Sequence, residues 1–245
     1  MTRLRGREFL NLVATKQHAG AQWFTIKNQS SGPAQVTIFD EIGYWGITAQ
    51  EFCDQLATIE GPIDLHLNSP GGEIFDGITI YNALLRRDVA VYVEGIAASA
   101  ASFIAQAAVP GKLGMAKTAS MMIHNGMSVA FGDATEMRKC ADVLEAQTRN
   151  IAEIYSERSG QPVDDLLAMM SEETWLRAAD AVGKSLADYV YDPRSGPANV
   201  LARRPAPGNG GTGNAAPAAP GADDSTDLSW LDQAGFIEAF KEATK

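Results

Sequence analysis

The chain has 245 residues, 45% of them hydrophobic, which is enough for one domain with a sizeable core. Its 30 acidic side chains against 20 basic ones give a formal charge of −10. That balance argues against a protein that coats nucleic acid, whose affinity comes mostly from cations on phosphates. The cysteines, Cys53 and Cys140, are too few for a disulfide scaffold or a paired-cysteine zinc site. No run approaches the roughly 20 apolar residues of a membrane span.

Residues 1–20 are basic, but their apolar stretch is short and broken by Asn11, so no secretory signal is expected. Gln22–Lys27 and Gln35–Glu41 read as strands. Thr48-Ala-Gln-Glu51 is a capping box, after which Phe52, Leu56 and Ile59 form a helical stripe. Ile63, Leu65 and Leu67 alternate with Asp64, His66 and Asn68, which predicts a strand ending in Ser-Pro-Gly-Gly. Glu73–Arg87 reads as a helix with Ile74, Ile78, Tyr81 and Leu85 on one face. Val89, Val91 and Val93 predict a strand that stops at Gly95, Ala97–Ala107 a helix of small residues, and Ser120–Ile123 the next strand.

Asp133-Ala-Thr-Glu136 is a second capping box, opening a helix that runs to Ser159 with Gly160 as its stop. At about 1.5 Å per residue it extends roughly 40 Å. Its apolar positions, Met137, Cys140, Leu144, Ile151 and Ile154, are sparse, so it is expected to project and pair with another subunit. Strand–helix alternation of this kind implies βαβ units and a largely parallel sheet. Composition changes near Asp192: the 34 residues Pro193–Thr226 hold 6 Pro, 6 Gly and no aromatic, which predicts a disordered linker. Leu228, Leu231, Phe236, Ile237 and Phe240 then give residues 227–245 an amphipathic helical pattern.

Three segments end predicted strands, where α/β folds place their sites: Asn68-Ser-Pro-Gly-Gly72, Gly95-Ile-Ala-Ala-Ser-Ala-Ala-Ser102 and Met121-Met-Ile-His-Asn-Gly126. Gly95 permits a tight turn, and Ser99 falls near a helix start, where free N–H groups favour a developing negative charge. The surrounding alanines Ala97, Ala98, Ala100 and Ala101 leave space above the hydroxyl for a carbonyl. His124, at a strand end, is a suitable base for a serine hydroxyl, and His66 and His18 compete weakly. Gly71 and Gly72 allow a backbone N–H to face the site without a side chain in the way.

Together the strand ending in NSPGG, the segment GIAASAAS and the segment MMIHN resemble the proteolytic subunit of the Clp protease and its relatives, over about Val36 to Asp192. The resemblance implies an α/β, ClpP/crotonase-like spiral of βαβ units with a projecting handle helix. It implies a serine endopeptidase in which Ser99 is the nucleophile, His124 the general base, and the N–H groups of Gly72 and Ala100 the oxyanion hole. The family has an aspartate as third member, and aligning Trp175-Leu176 on its aromatic-Leu pair puts Glu173 there, with Thr174 and Asp180 as alternatives. Ser102 and Ser69 are the alternative nucleophiles. No cofactor and no metal are implied.

The stretch Ile38-Phe-Asp-Glu-Ile-Gly43, the Glu-Thr-Trp variant and the low-complexity tail resemble the phage-encoded branch of this superfamily, the head maturation (prohead) proteases. That likeness implies scaffold or capsid proteins as substrates, a homo-oligomeric ring, action without ATP, and residence in the host cytoplasm or procapsid, with no nucleic-acid or membrane partner. It leaves open whether a host ATPase docks. The expected organisation is an N-terminal segment (1–20), a protease domain (21–192), a linker (193–226) and a C-terminal helix (227–245). The competing readings are a crotonase-type acyl-CoA enzyme, a Ser–Lys dyad drawing on Lys112, Lys117 or Lys184, and a catalytically silent ring serving as scaffold.

Overall fold

The computed structural model describes residues 23–27, 32–43, 48–130 and 132–195. His18, most of the Pro/Gly-rich stretch and the tail pattern of 227–245 lie outside them. The described chain forms one eight-stranded sheet with helices packed on it. In chain order the elements are β1 (Phe24–Lys27), β2 (Ala34–Ile38), α1 (Ala49–Ala57), β3 (Ile63–Ser69), α2 (Ile74–Leu84), β4 (Val89–Ala98), α3 (Ala100–Ala105), β5 (Leu113–Ala116), β6 (Ser120–Ile123), α4 (Ala134–Ser159), α5 (Val163–Ser171), β7 (Thr174–Arg177), α6 (Ala178–Gly183) and β8 (Tyr189–Tyr191).

The sheet runs β1-β2-β3-β4-β5-β8, and a branch, β6 then β7, leaves it at β4. β1 pairs antiparallel with β2 and β7 antiparallel with β6; every other pairing is parallel, as the strand–helix alternation predicts. In β3 the alternation Ile63, Leu65, Leu67 against Asp64, His66, Asn68 puts the apolar set in the core and the polar set on the other, partly open face. β4 is buried throughout Val89–Val93, the pattern of a strand covered on both faces.

α1 carries the predicted stripe, with Phe52 and Leu56 buried, and Phe52 stacks with Trp23 at 5.7 Å and meets Phe24 edge-on at 5.1 Å. α2 is rotated from its predicted face. It buries Gly77, Ile80, Tyr81 and Leu84, while Leu85 is half exposed. The reason is Gly77, where a Cβ would lie 2.7 Å from the Phe103 ring; close approach of α2 to α3, not the position of the isoleucines, sets the orientation.

Two boundaries are corrected. β4 does not stop at Gly95 but continues to Ala98, and α3 starts at Ala100 instead of Ala97. Alanine favours helix locally, yet Ala97 and Ala98 are extended because β6 pairs with them, at Met121 and Met122. Gly95 has no left-handed backbone, so it is not the tight turn expected of it. The four alanines around Ser99, Ala97, Ala98, Ala100 and Ala101, are all buried. β5, β7 and β8 were not expected from the sequence; each is a strand of three or four residues with no clear alternation.

α4 is the predicted long helix. Asp133 accepts from the N–H groups of Thr135 and Glu136, Glu136 accepts in return from the N–H of Asp133, and Gly160 ends the helix in left-handed geometry (φ 73°). Its buried residues, Thr148, Ile151, Ala152 and Tyr155, all lie in the second half. The first half carries exposed Met137 and Val143 and stands away from the core. Arg158 fixes the packed end by donating to the Ala108 carbonyl at 2.8 Å and pairing with Asp188. Residues 193–195 form a short 3-10 turn, so regular structure extends three residues into the expected linker.

Candidate active site

The two strands that carry the NSPGG and GIAAS segments, β3 and β4, are neighbours, and the strand that ends before His124, β6, is the partner of the last residues of β4. Topology alone therefore brings three segments far apart in sequence to the same end of the sheet. Ser99 links β4 directly to α3. Its N–H donates to the Met122 carbonyl at 3.0 Å, and its φ of 52° with ψ of −123° lies where non-glycine residues are strained by about 1–3 kcal/mol. A serine on so sharp a strand-to-helix turn has its hydroxyl lifted clear of the sheet, as in other strand–serine–helix nucleophile turns.

His124 follows β6 and is 7% exposed. Its Nε2 lies 2.7 Å from Ser99 Oγ. Proton transfer between a serine and a base requires an approach of this order. Residues 99 and 124, which the motifs singled out, lie within hydrogen-bond reach of each other.

The Pro-Gly-Gly turn closes against this pair. At Gly71 (φ 102°) a Cβ would lie 2.6 Å from Ser99 Cβ and 2.8 Å from the Ala100 nitrogen, so no side chain fits between the turn and the serine. Gly72 bridges Ile42 in parallel fashion: Ile42 N–H donates to the Gly71 carbonyl at 2.7 Å, and Glu73 N–H donates to the Ile42 carbonyl at 2.9 Å. In a bridge of this pattern the central residue's own N–H points to the opposite side. A Cβ on Gly72 would collide with the Ile42 carbonyl oxygen. Ala100 is the first residue of α3, where the N–H has no partner within the helix.

Glu173 stands at the start of β7. The antiparallel register of β6 and β7 ends at the pair Ile123 and Thr174; His124 follows the first of these in the chain and Glu173 precedes the second. Its backbone is left-handed (φ 51°), a conformation that few non-glycine residues adopt. Its carboxylate accepts the Trp175 indole N–H at 3.2 Å. The alternatives are engaged elsewhere: Thr174 Oγ1 donates to the Met169 carbonyl at 2.7 Å, and Asp180 pairs with Arg177 at 3.1 Å.

The alternative nucleophiles also have structural partners. Ser69 Oγ donates to the Asp40 carbonyl at 2.6 Å and accepts the Gly71 N–H at 3.1 Å, which holds the Pro-Gly-Gly turn. Ser102 Oγ donates to the Ser99 carbonyl at 2.6 Å and meets the Tyr155 hydroxyl at 2.7 Å, tying the turn to α4; burial pushes the Tyr155 phenol well above its usual range. These supporting roles were not read from the sequence, although a serine directly before Pro-Gly-Gly was the available signal for the first. Of the lysines considered as a base, Lys112 and Lys117 pair with Asp88 and Asp192. A cavity of about 710 Å³ between α4 and the segment after His124 is lined by Asn125, Gly126, Leu144, Thr148 and Leu167 among others; neither Ser99 nor His124 lines it.

A mostly parallel α/β sheet with a serine–histidine pair beside a glycine turn and a helix start defines a class of hydrolase-like site. The Clp protease family model matches residues 18–194, and the chain belongs to that family. Among curated proteins it is similar to the ATP-dependent Clp protease proteolytic subunit 2 of Cutibacterium acnes, 30% identical over 150 residues, covering 58% of this chain and 71% of that one. The subunit 1 of Streptomyces coelicolor is 31% identical over 153 residues, 62% of this chain and 66% of its own. The subunit 2 of Parasynechococcus marenigrum is 31% identical over 150 residues, 60% and 76% respectively.

Proposed function

We propose that the protein is a serine endopeptidase and that Ser99 and His124 carry the reaction. The observation behind this reading is the 2.7 Å approach of Ser99 Oγ to His124 Nε2. His124 takes the hydroxyl proton as Ser99 Oγ attacks the peptide carbonyl carbon. The carbonyl oxygen becomes an oxyanion that accepts from the N–H groups of Gly72 and Ala100. His124 then gives its proton to the leaving amine, the C–N bond breaks and an acyl-enzyme remains. Water, deprotonated by His124, hydrolyses that ester and restores Ser99. Glu173, the residue before β7, is assigned as the acid that orients the imidazole.

The half-exposed first half of α4 suits pairing between subunits, and the reading includes a homo-oligomeric ring acting on protein substrates. The finer role is processing of scaffold or capsid proteins during viral head maturation in the cytoplasm of a host, without an ATPase. It rests on the resemblance of Ile38–Gly43 and the Glu-Thr-Trp segment to the phage-encoded branch and on the Pro/Gly/Ala-rich stretch after Asp192.

Labelling of the full chain with a fluorophosphonate tests the chemistry. Ser99→Ala is expected to abolish labelling and peptide cleavage while assembly is unchanged; retained labelling would move the nucleophile to Ser102 or Ser69. Removal of residues 227–245 is expected to lower incorporation into procapsids, and unchanged incorporation counts against the assembly role alone.

A further inference from the structure

We propose that Asn68 and Gly95 form a clamp across a β-bulge in β4 and that this clamp is what sets Ser99 in register with His124. The inference rests on the reading of Ser99 as nucleophile and adds two positioning residues to it. Between the pairs Leu67↔Val93 and Ser69↔Ala97, the single residue Asn68 of β3 faces three residues of β4, Glu94, Gly95 and Ile96. Bulges bend a strand and re-aim the side chains beyond them. Here the bulge also coincides with a change of partner: β4 pairs with β5 through Val91–Val93 and with β6 through Ile96–Ala98. Ser99 is the next residue, and His124 follows the end of β6. The position of the bulge along β4 therefore fixes how far Ser99 advances along the strand that delivers its base.

A bulge leaves backbone groups without ladder partners. At this one the side chain of Asn68 supplies the missing acceptor: its Oδ1 accepts the Ile96 N–H at 3.2 Å. Gly95 makes room for that contact. A Cβ there would lie 2.5 Å from Asn68 Oδ1, and the only atoms of the described residues within 4 Å of it, chain neighbours aside, belong to Asn68. The absence of a side chain at 95 is thus explained by the amide opposite and by nothing else nearby. The scale of the effect follows from strand geometry. One residue of slip moves a strand by about 3.3 Å, more than the whole 2.7 Å that separates Ser99 Oγ from His124 Nε2.

The test is the rate of fluorophosphonate labelling of the full chain, with melting temperature measured alongside. Asn68→Ala is expected to slow labelling by about 10- to 100-fold, the cost typical of misplacing a reacting group by an ångström or so. Asn68→Asp keeps an acceptor oxygen in place and is expected to label within a few-fold of the parent. Gly95→Ala displaces the amide and is expected to match Asn68→Ala. Added to Asn68→Ala it has nothing left to displace and is expected to slow labelling little further. Independent, multiplying losses from the two substitutions would overturn the clamp, and so would parental labelling by Asn68→Ala. Should Asn68→Ala fail to fold, Gly95→Ala carries the test, with parental labelling again decisive against it. Ser99→Ala in the same assay separates the two claims: if that variant still labels, the nucleophile is wrong, whereas if it is silent and the clamp variants label normally, only the clamp fails.

Discussion

Two histidines on neighbouring parts of the sheet have opposite fates. His66 lies within β3, with Nδ1 2.6 Å from Glu94 Oε1, Nε2 2.8 Å from Gln35 Oε1, and its ring stacked on Tyr92 at 5.2 Å. His124 lies just past the end of β6, with Nε2 2.7 Å from the Ser99 hydroxyl. Both are largely buried, and His66 carries a carboxylate at hydrogen-bond distance. What separates them is the partner of the second nitrogen. At His66 both nitrogens are held by fixed side chains of adjacent strands, so the ring joins β2, β3 and β4. At His124 one nitrogen faces a group capable of reaction. A histidine–carboxylate pair is therefore a poor marker of chemistry until the opposite nitrogen is accounted for.

The comparison breaks most easily at its reactive end. His124→Ala is expected to lower the fluorophosphonate labelling rate by at least ~10³-fold, with a minor change in melting temperature. Labelling within tenfold of the parent would show that the 2.7 Å contact is no more than a structural hydrogen bond. Glu173→Gln should cost less, roughly 100-fold less than His124→Ala, because the acid of such a set orients the base and does not itself react. If Glu173→Gln labels as fast as the parent, the residue belongs to the Trp175 contact alone. At the other end the readout reverses. His66→Ala is expected to destabilise the fold by about 1–3 kcal/mol, as Glu94 and Gln35 lose a buried partner, while labelling per folded molecule stays within a few-fold. A large loss of labelling at unchanged stability would erase the distinction.

The sequence made the three site segments legible because each is a short run with an unusual composition at the end of an apolar strand. Residues 99 and 124 and the Gly71–Gly72 turn could be named from it, and so could the caps of α4, since capping depends on a few adjacent residues. The continuation of β4 through Ala97–Ala98 was not legible. Its cause is pairing with β6, more than twenty residues away, and that pairing outweighs the helical preference of alanine. The same holds for β7 and β8, which are strands only because β6 and β5 offer them an edge. His66 shows the limit most plainly. From the sequence it is a polar residue on the open face of a strand, and its partners Glu94 and Gln35 lie on two other strands.

The brace around His66 also predicts a pH dependence that the reactive histidine does not need. The His66 hydrogen bond, helped by the Tyr191 hydroxyl and opposed by burial, holds the Glu94 carboxyl below its usual range. A carboxyl depressed in the folded state contributes stability that is fully present above its unfolded value, about 4.3, and is lost as pH falls through the lower folded value. Asp64, on the same face, runs the other way. Burial raises its carboxyl, against the hydrogen bond from Gln35, so its contribution is present at low pH and is lost as pH rises. Because Asp64 is common to both proteins, comparing the parent with Glu94→Gln removes its share to first order. Urea denaturation from pH 7 down to pH 3 is expected to show the parent more stable at neutral pH and the difference closing as the solution becomes acid. A difference that stays constant over that range would mean that Glu94 holds His66 by shape and neutral hydrogen bonding, and that the ionised carboxylate adds nothing.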